Sequence, residues 1–242
     1  MAEEEGHVYP PLIISLITEF FGTAELMFIG CMGCIVGYDN GPLMAATTFA
    51  MAVLIAIEMF GHYGPVHLNP GVTVGFIIMG HMPWKTMIMY FIGQFFGAFA
   101  GYGLLYLVTP YKQDLCLLTI RFDLGTVECF FNEFVCSALL MLVVLGATDP
   151  INKDITDSIP LKIAFALLGL IFALEPFTGA GLNAARAVPP CVFFNDYRQL
   201  WLYMVGPTLG MALAATLYRF VFDSNEKYSL HTFLINFKNR GD

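Results

Sequence analysis

The stretch TGAGLNAARAVPPCVFF, residues 178–194, sets an apolar run of 11 residues behind an asparagine and puts one arginine, Arg186, inside it. As a helix, the run after Asn183 measures about 16 Å at 1.5 Å per residue. A bilayer's hydrocarbon core is roughly 30 Å thick, so the run reaches half way across. Such a segment is tolerated at membrane depth only when it is buried in protein or lines a wet cavity. GHYGPVHLNPGVTVGFIIMGHM, residues 61–82, has the same form: Asn69, a proline directly after it, and an apolar piece ending near Met82. The two short pieces decide the fold, because together they require a membrane protein with a protein-lined interior.

Around them lie six longer apolar segments, roughly 12–37, 42–61, 86–109, 127–147, 160–176 and 200–222. A spanning helix needs roughly 20 mainly apolar residues, and these runs are of that order. The chain of 242 residues is 57% hydrophobic and only 12% charged, with mean hydropathy +0.70. A soluble domain carries about a quarter charged residues, so a soluble protein with a large core is excluded. The start MAEEEGH is acidic and lacks the basic residues and cleavage site of a signal peptide; the first apolar segment is expected to remain as a helix. The net charge of −8 sits largely in tails and loops and points to no nucleic-acid partner.

The two halves of the chain repeat. TEFFGTAELM (18–27) matches NEFVCSALLM (132–141), pairing Glu19 with Glu133 at an offset of 114. LNPGVTV (68–74) matches LNAARAV (182–188) at the same offset, and GQFFGAFA (93–100) resembles GPTLGMAL (206–213) at 113. Collinear matches at a constant offset indicate an internal duplication, with repeat one over about 12–109 and repeat two over about 127–222. Three spanning helices per repeat force the second to enter from the opposite side, and sites are then expected near the midplane where the repeats meet. With both termini cytoplasmic, the inner segments hold Lys85, Lys153, Lys162, Arg219, Lys227, Lys238 and Arg240, against Lys112, Arg121 and Arg198 outside. Seven against three follows the positive-inside rule. Residues 1–242 read as one membrane domain with short tails, 1–11 and 223–242.

Asn69 stands at an N-cap position and Pro70 at the first helical position, where its missing N–H costs nothing. Asn183 opens the second half-helix. Inverted half-helices meet N-terminus to N-terminus, so both positive dipole ends point at one spot. Two asparagine amides there offer N–H donors. That field repels a cation or a proton and accommodates a neutral molecule that accepts hydrogen bonds.

The combination of Glu19 and Glu133, residues 61–75, GQFFGAFAG (93–101) and TGAGLNAARAV (178–188) resembles the aquaporins, or major intrinsic proteins, over nearly the whole chain. The resemblance implies an all-α membrane fold of six transmembrane helices plus two re-entrant half-helices, and a passive channel for water. It also extends to small neutral solutes such as glycerol, urea or hydrogen peroxide, with ions and protons excluded. The family usually reads Asn-Pro-Ala twice; here the motifs are Asn69-Pro70-Gly71 and Asn183-Ala184-Ala185. Both asparagines are kept, the turn before Ala184 is less pre-set than with proline, and Gly71 loosens an early helical position. The family's outer constriction maps by ungapped counting onto Phe49, Ile171, Ala180 and Arg186. Water-selective members typically carry a histidine where Ile171 stands, so an apolar wall replaces a polar one. His67 resembles a histidine of the inner vestibule, or is a packing residue. Glu19 and Glu133 correspond to carboxylates that hold the half-helix loops; a proton relay is the alternative for such intramembrane acids.

A structural or junctional membrane protein on the same scaffold, barely permeable, is the second functional reading. No enzymatic activity is expected, since neither GxSxG nor HExxH occurs, and neither a metal nor a cofactor is expected. Cys31 and Cys34 form a CxxC inside an apolar helix and read as packing residues, while Cys116 stands alone in a loop. Gly93 with Gly97, and Gly206 with Gly210, form small-xxx-small surfaces that serve helix crossing within a subunit or between subunits. A homotetramer in a lipid bilayer is implied by the resemblance, with the plasma membrane expected over an internal one.

Overall fold

The computed structural model describes residues 9–110, 112, 115–121, 124–224 and 229–232, with the backbone alone for 36–40. Most of both tails, with Lys227, Lys238 and Arg240, lies outside the described residues. Those described form helices and loops, with no strand among them. The α-helices are α1 (Leu12–Asn40), α2 (Pro42–Phe60), α3 (Pro70–Ile78), α4 (Trp84–Val108), α5 (Thr126–Thr148), α6 (Ile159–Thr178), α7 (Ala184–Phe194) and α8 (Leu200–Val221). Six of them are long and apolar enough to cross a membrane, and α3 and α7 are short. The fold is thus all-helical, with six spans of membrane length. Large apolar side chains such as Phe96, Leu104, Phe131, Phe165 and Leu213 stand exposed on their outer faces. On a soluble surface this would be a liability; against lipid it is the solvent-facing side.

α7 coincides with the expected half-helix. α3 is shorter than the apolar run to Met82. It stops at Ile78 because Gly80, at φ +78°, turns the chain, with Gly80 N–H bonding Ile77 O and His81 N–H bonding Phe76 O. Glycine supplies that left-handed exit at no steric cost. The guanidinium of Arg219 in α8 donates to the Ile78 carbonyl, placing a cation at the negative end of α3. A 3-10 helix, Pro150–Ser158, precedes α6 and was not expected from the apolar pattern. Asp149 caps it, accepting from Ile151 N–H at 2.9 Å.

α1 packs on α2 and α4, α5 packs on α6 and α8, and α2 meets α6 between the halves. Glycines set the close crossings. A Cβ at Gly93, Gly97 or Gly101 of α4 would strike the α1 backbone at Leu16, Phe20 or Ala24, and one at Gly210 of α8 would strike the α5 backbone at Phe134. Both small-residue stripes therefore serve crossings inside the chain, letting backbones approach where a side chain would hold them apart. α3 packs chiefly on α8, and α7 on α4 and α8. Each half-helix is thereby held against a span of the opposite half.

Candidate functional site

The loops entering α3 and α7 are built alike. Leu68 and Leu182 precede the two asparagines with φ of 56° and 50°, a left-handed conformation that costs a non-glycine residue about 1–2 kcal/mol. Buried carboxylates hold the turns. Glu19 accepts from the N–H groups of His67 at 2.6 Å and Leu68 at 2.8 Å. Glu133 accepts from those of Gly181 and Leu182, both at 2.8 Å. Side chains complete each carboxylate: Gln94 Nε2 donates to Glu19 at 2.7 Å and Thr178 Oγ1 to Glu133 at 2.6 Å. Gln94 also donates to Thr73 Oγ1 at 2.9 Å. Tyr90 hydroxyl bonds Pro65 O, and Tyr203 hydroxyl bonds Thr178 O at 2.7 Å. This tyrosine pair recurs at an offset of 113, a signal that the sequence carries but that motif comparison passed over.

Asn69 and Asn183 cap the half-helices. Asn69 Oδ1 accepts from Gly71 N–H at 2.9 Å, and Asn183 Oδ1 from Ala185 N–H at 2.9 Å and Arg186 N–H at 3.3 Å. Since each oxygen is committed to its helix, each amide nitrogen must face away from it. Asn69 Nδ2 donates to Leu182 O at 2.8 Å and Asn183 Nδ2 to Leu68 O at 2.7 Å. An amide carries two N–H groups, so one donor per asparagine is left beyond this crossed pair. Both asparagines border a cavity of about 80 Å³, room for several waters at roughly 10–15 Å³ each.

The same cavity is bordered by Phe49 of α2, Ile171 of α6, Ala180 of the second loop, Arg186 of α7, and His67. The structure thus brings all four residues of the expected constriction, the vestibule histidine and both asparagines to one space. Pro70, Gly71, Ala184 and Ala185 form the first turns of the half-helices behind it. The remaining wall is largely aliphatic, with Val53, Ile57, Val72, Leu140, Val144 and Leu167. His67 Nδ1 lies 3.1 Å from Thr73 Oγ1, and its ring packs 4.4 Å from Phe76 and 4.8 Å from Tyr90. Gly71 does more than loosen a helix: a Cβ there would lie 2.6 Å from the sulfur of buried Met211.

Arg186 is buried, with its guanidinium carbon 5.3 Å from the Phe49 ring centroid, within cation–π range. Nη1 donates to the carbonyl of Cys116 at 3.0 Å, and Nη2 lies 3.4 Å from the Cys116 sulfur. Cys116, the lone cysteine of its loop, thus has a partner on α7. Its sulfur is also 2.9 Å from that of Cys34. No motif marks this contact in the sequence, because the partners are 82 and 70 residues away. Among the described residues, no group of three or more His, Cys, Asp or Glu is arranged to hold a metal ion.

The site combines positive potential with apolar walls. Two helix N-termini and one guanidinium place positive potential at a narrow, mostly apolar space. A cation meets that potential, and any ion loses hydration that aliphatic walls cannot replace. A neutral hydrogen-bonding molecule can exchange bonds with the asparagine amides, His67 and Arg186.

Residues 9–218 match the Major intrinsic protein family. The chain is 32% identical over 213 residues to Aquaporin-4 of Mus musculus, an alignment covering 84% of this chain and 66% of that one. It is 30% identical over 213 residues to the lens fiber major intrinsic protein of Ovis aries, covering 86% and 80% of the two chains. Against Aquaporin NIP1-1 of Arabidopsis thaliana it is 29% identical over 222 residues, covering 87% and 74%. The X-ray structure of the aquaglyceroporin from Plasmodium falciparum superposes with a TM-score of 0.77 at 21% identity, covering 86% of this chain and 96% of that one.

Proposed function

The chain belongs to the major intrinsic protein family, and we propose that it is a passive channel for water and small neutral solutes that excludes protons and ions. The observation that carries this reading is the crossed asparagine pair, which sets two helix N-termini and both asparagines at the border of one cavity, each amide keeping one N–H beyond the pair. Water in that cavity donates its hydrogens away from the asparagines, which breaks a proton-conducting chain of like-oriented waters. Phe49, Ile171, Ala180 and Arg186 form the constriction, with His67 on the inner side. Three apolar walls face one cation there, so solutes with a carbon frame and hydroxyl or amide groups, such as glycerol or urea, fit beside water and hydrogen peroxide. Glu19 and Glu133 act as loop supports, because each already accepts two backbone N–H groups.

The unit is the whole chain, with repeats over 12–109 and 127–222, both termini cytoplasmic, set in the plasma membrane as a homotetramer with one pore per subunit. Stopped-flow light scattering of proteoliposomes under sucrose, glycerol and urea gradients tests the channel. Fast water flux with slow glycerol flux identifies a water channel. Fast glycerol or urea flux, reduced by Ile171→His, identifies a solute channel opened at that wall. Flux equal to that of empty vesicles from folded protein overturns the channel and leaves a structural membrane role on the same scaffold.

A further inference from the structure

We propose that Cys34 and Cys116 are a reversible thiol–disulfide pair that ties the α4–α5 loop to α1 and thereby acts on Arg186. The sulfurs stand 2.9 Å apart, and a disulfide bond is about 2.05 Å long, so closure moves the atoms by less than about 1 Å. Cys31, one turn earlier on the same helix, is buried with its thiol beside both partners. All three are free thiols in this structure. The surroundings include the guanidinium of Arg186, 3.4 Å from the Cys116 sulfur, and cysteines that undergo exchange commonly sit beside cations.

What sets this cluster apart from packing cysteines is its connection to the cavity. The Cys116 carbonyl holds Arg186 Nη1 at 3.0 Å, and Arg186 borders the cavity between the half-helices. The loop is otherwise fastened nearby by Tyr102 hydroxyl on Leu115 O at 2.6 Å and by Arg121 N–H on Phe177 O at 2.9 Å. A bond from Cys116 to Cys34 draws the sulfur off Nη2 and fixes the residue whose carbonyl holds Nη1. The guanidinium then loses freedom to swing away from the passage, and solute flux is lower in the oxidised protein.

The oxidant is hydrogen peroxide. One thiol attacks a peroxide oxygen, forming a sulfenic acid and releasing water. The second thiol displaces the sulfenic oxygen, forming the S–S bond and releasing a second water with hydrogen peroxide as oxidant. Two electrons pass from the sulfurs to the peroxide oxygens, and a dithiol reductant returns them.

The full chain in proteoliposomes is treated with hydrogen peroxide or dithiothreitol, alkylated, digested and mapped by mass spectrometry. The expected result is loss of two alkylatable thiols, recovery of a linked peptide pair containing Cys34 and Cys116, and return of both thiols on reduction. Alkylation of both after oxidation, or a bond involving Cys31 instead, overturns the pair. The flux effect rests on the channel reading and is read separately: glycerol and water flux are expected to fall on oxidation in the wild type and to be insensitive to oxidant in Cys34→Ser. An oxidant effect that persists in Cys34→Ser overturns the coupling to Arg186. A bond that forms in protein showing no flux in either state supports the thiol pair and overturns the channel reading alone.

Discussion

Asn69 donates to the carbonyl of Leu182 at 2.8 Å while Asn183 donates to the carbonyl of Leu68 at 2.7 Å. Each asparagine thus caps its own half-helix with its oxygen and ties down the opposite loop with its nitrogen. Asn183→Ala is expected to lose both, destabilising the chain by about 1–2 kcal/mol for the cap and by about 1–3 kcal/mol for the buried carbonyl left unpaired. Asn183→Asp keeps the cap oxygen and loses only the donor, so its melting temperature in detergent is expected to fall between wild type and Asn183→Ala. Equal melting of all three proteins would show that the crossed pair contributes nothing to stability.

Glu19 and Glu133 separate a support from a relay. Glutamine offers one acceptor where the carboxylate offers two, and its NH₂ would face backbone N–H groups. Each buried donor left unsatisfied costs about 1–3 kcal/mol, so Glu133→Gln is expected to fold poorly, with reduced yield and early unfolding by fluorescence. A relay predicts the opposite pattern: a well-folded Glu133→Gln protein with altered proton permeability, measured with a pH-sensitive dye trapped in vesicles.

Glycines of one stripe should differ sharply from glycines elsewhere. At Gly101 a Cβ meets the Ala24 carbonyl, whereas at Gly169 it meets nothing within 4 Å. Overpacking against backbone costs about 1–3 kcal/mol or more; Gly101→Ala is expected to lower the melting temperature strongly, and Gly169→Ala, inside α6 with room for a Cβ, to leave it unchanged or raise it slightly. If Gly101→Ala melts like wild type and only dissociates in size-exclusion chromatography, the stripe faces a neighbouring subunit instead of α1.

Asp149 sets an acid limit at the end of α5. Burial pushes its carboxyl up, but hydrogen bonds from Ser224, Ile151 N–H and Tyr218 outweigh burial and leave it below its ordinary value. A carboxyl depressed in the folded state contributes stability that is complete above the unfolded pKa of about 4 and is lost as pH falls through the folded value. The wild type is expected to lose more melting temperature than Asp149→Asn when acidified from about pH 6 to below about 4. Parallel losses would assign the acid sensitivity to other groups.

Much of the site was legible because its signals are local. Asn69 and Asn183 declare helix starts by residue type, the half-helices declare themselves by length, and Arg186 stands out in an apolar run. Other parts were not, because they depend on contacts between distant residues. Gln94 and Thr178 complete the two carboxylates from different elements, and although both stand inside quoted motifs, nothing in those motifs pairs them with Glu19 and Glu133. Met211 occupies the space that makes glycine fit at position 71, which local propensity had cast only as looseness. Gly80 ended α3 four residues before the apolar composition stopped, since a left-handed turn overrides hydrophobicity.

The class and order of the elements, six spans and two short helices between them, are written in apolar run length and cap residues, and motifs recur at an offset of 113–114. Those features are short-range or repetitive, and the bilayer leaves a helical segment few alternatives. Which surfaces those elements turn toward each other follows from their packing alone. It turned the glycine stripes inward, set the cation of Arg219 on the end of α3, and carried Cys116 across 70 residues to the guanidinium of Arg186. Such choices follow from the close approach of backbones once helices pack, a property of pairs of segments that no single stretch contains.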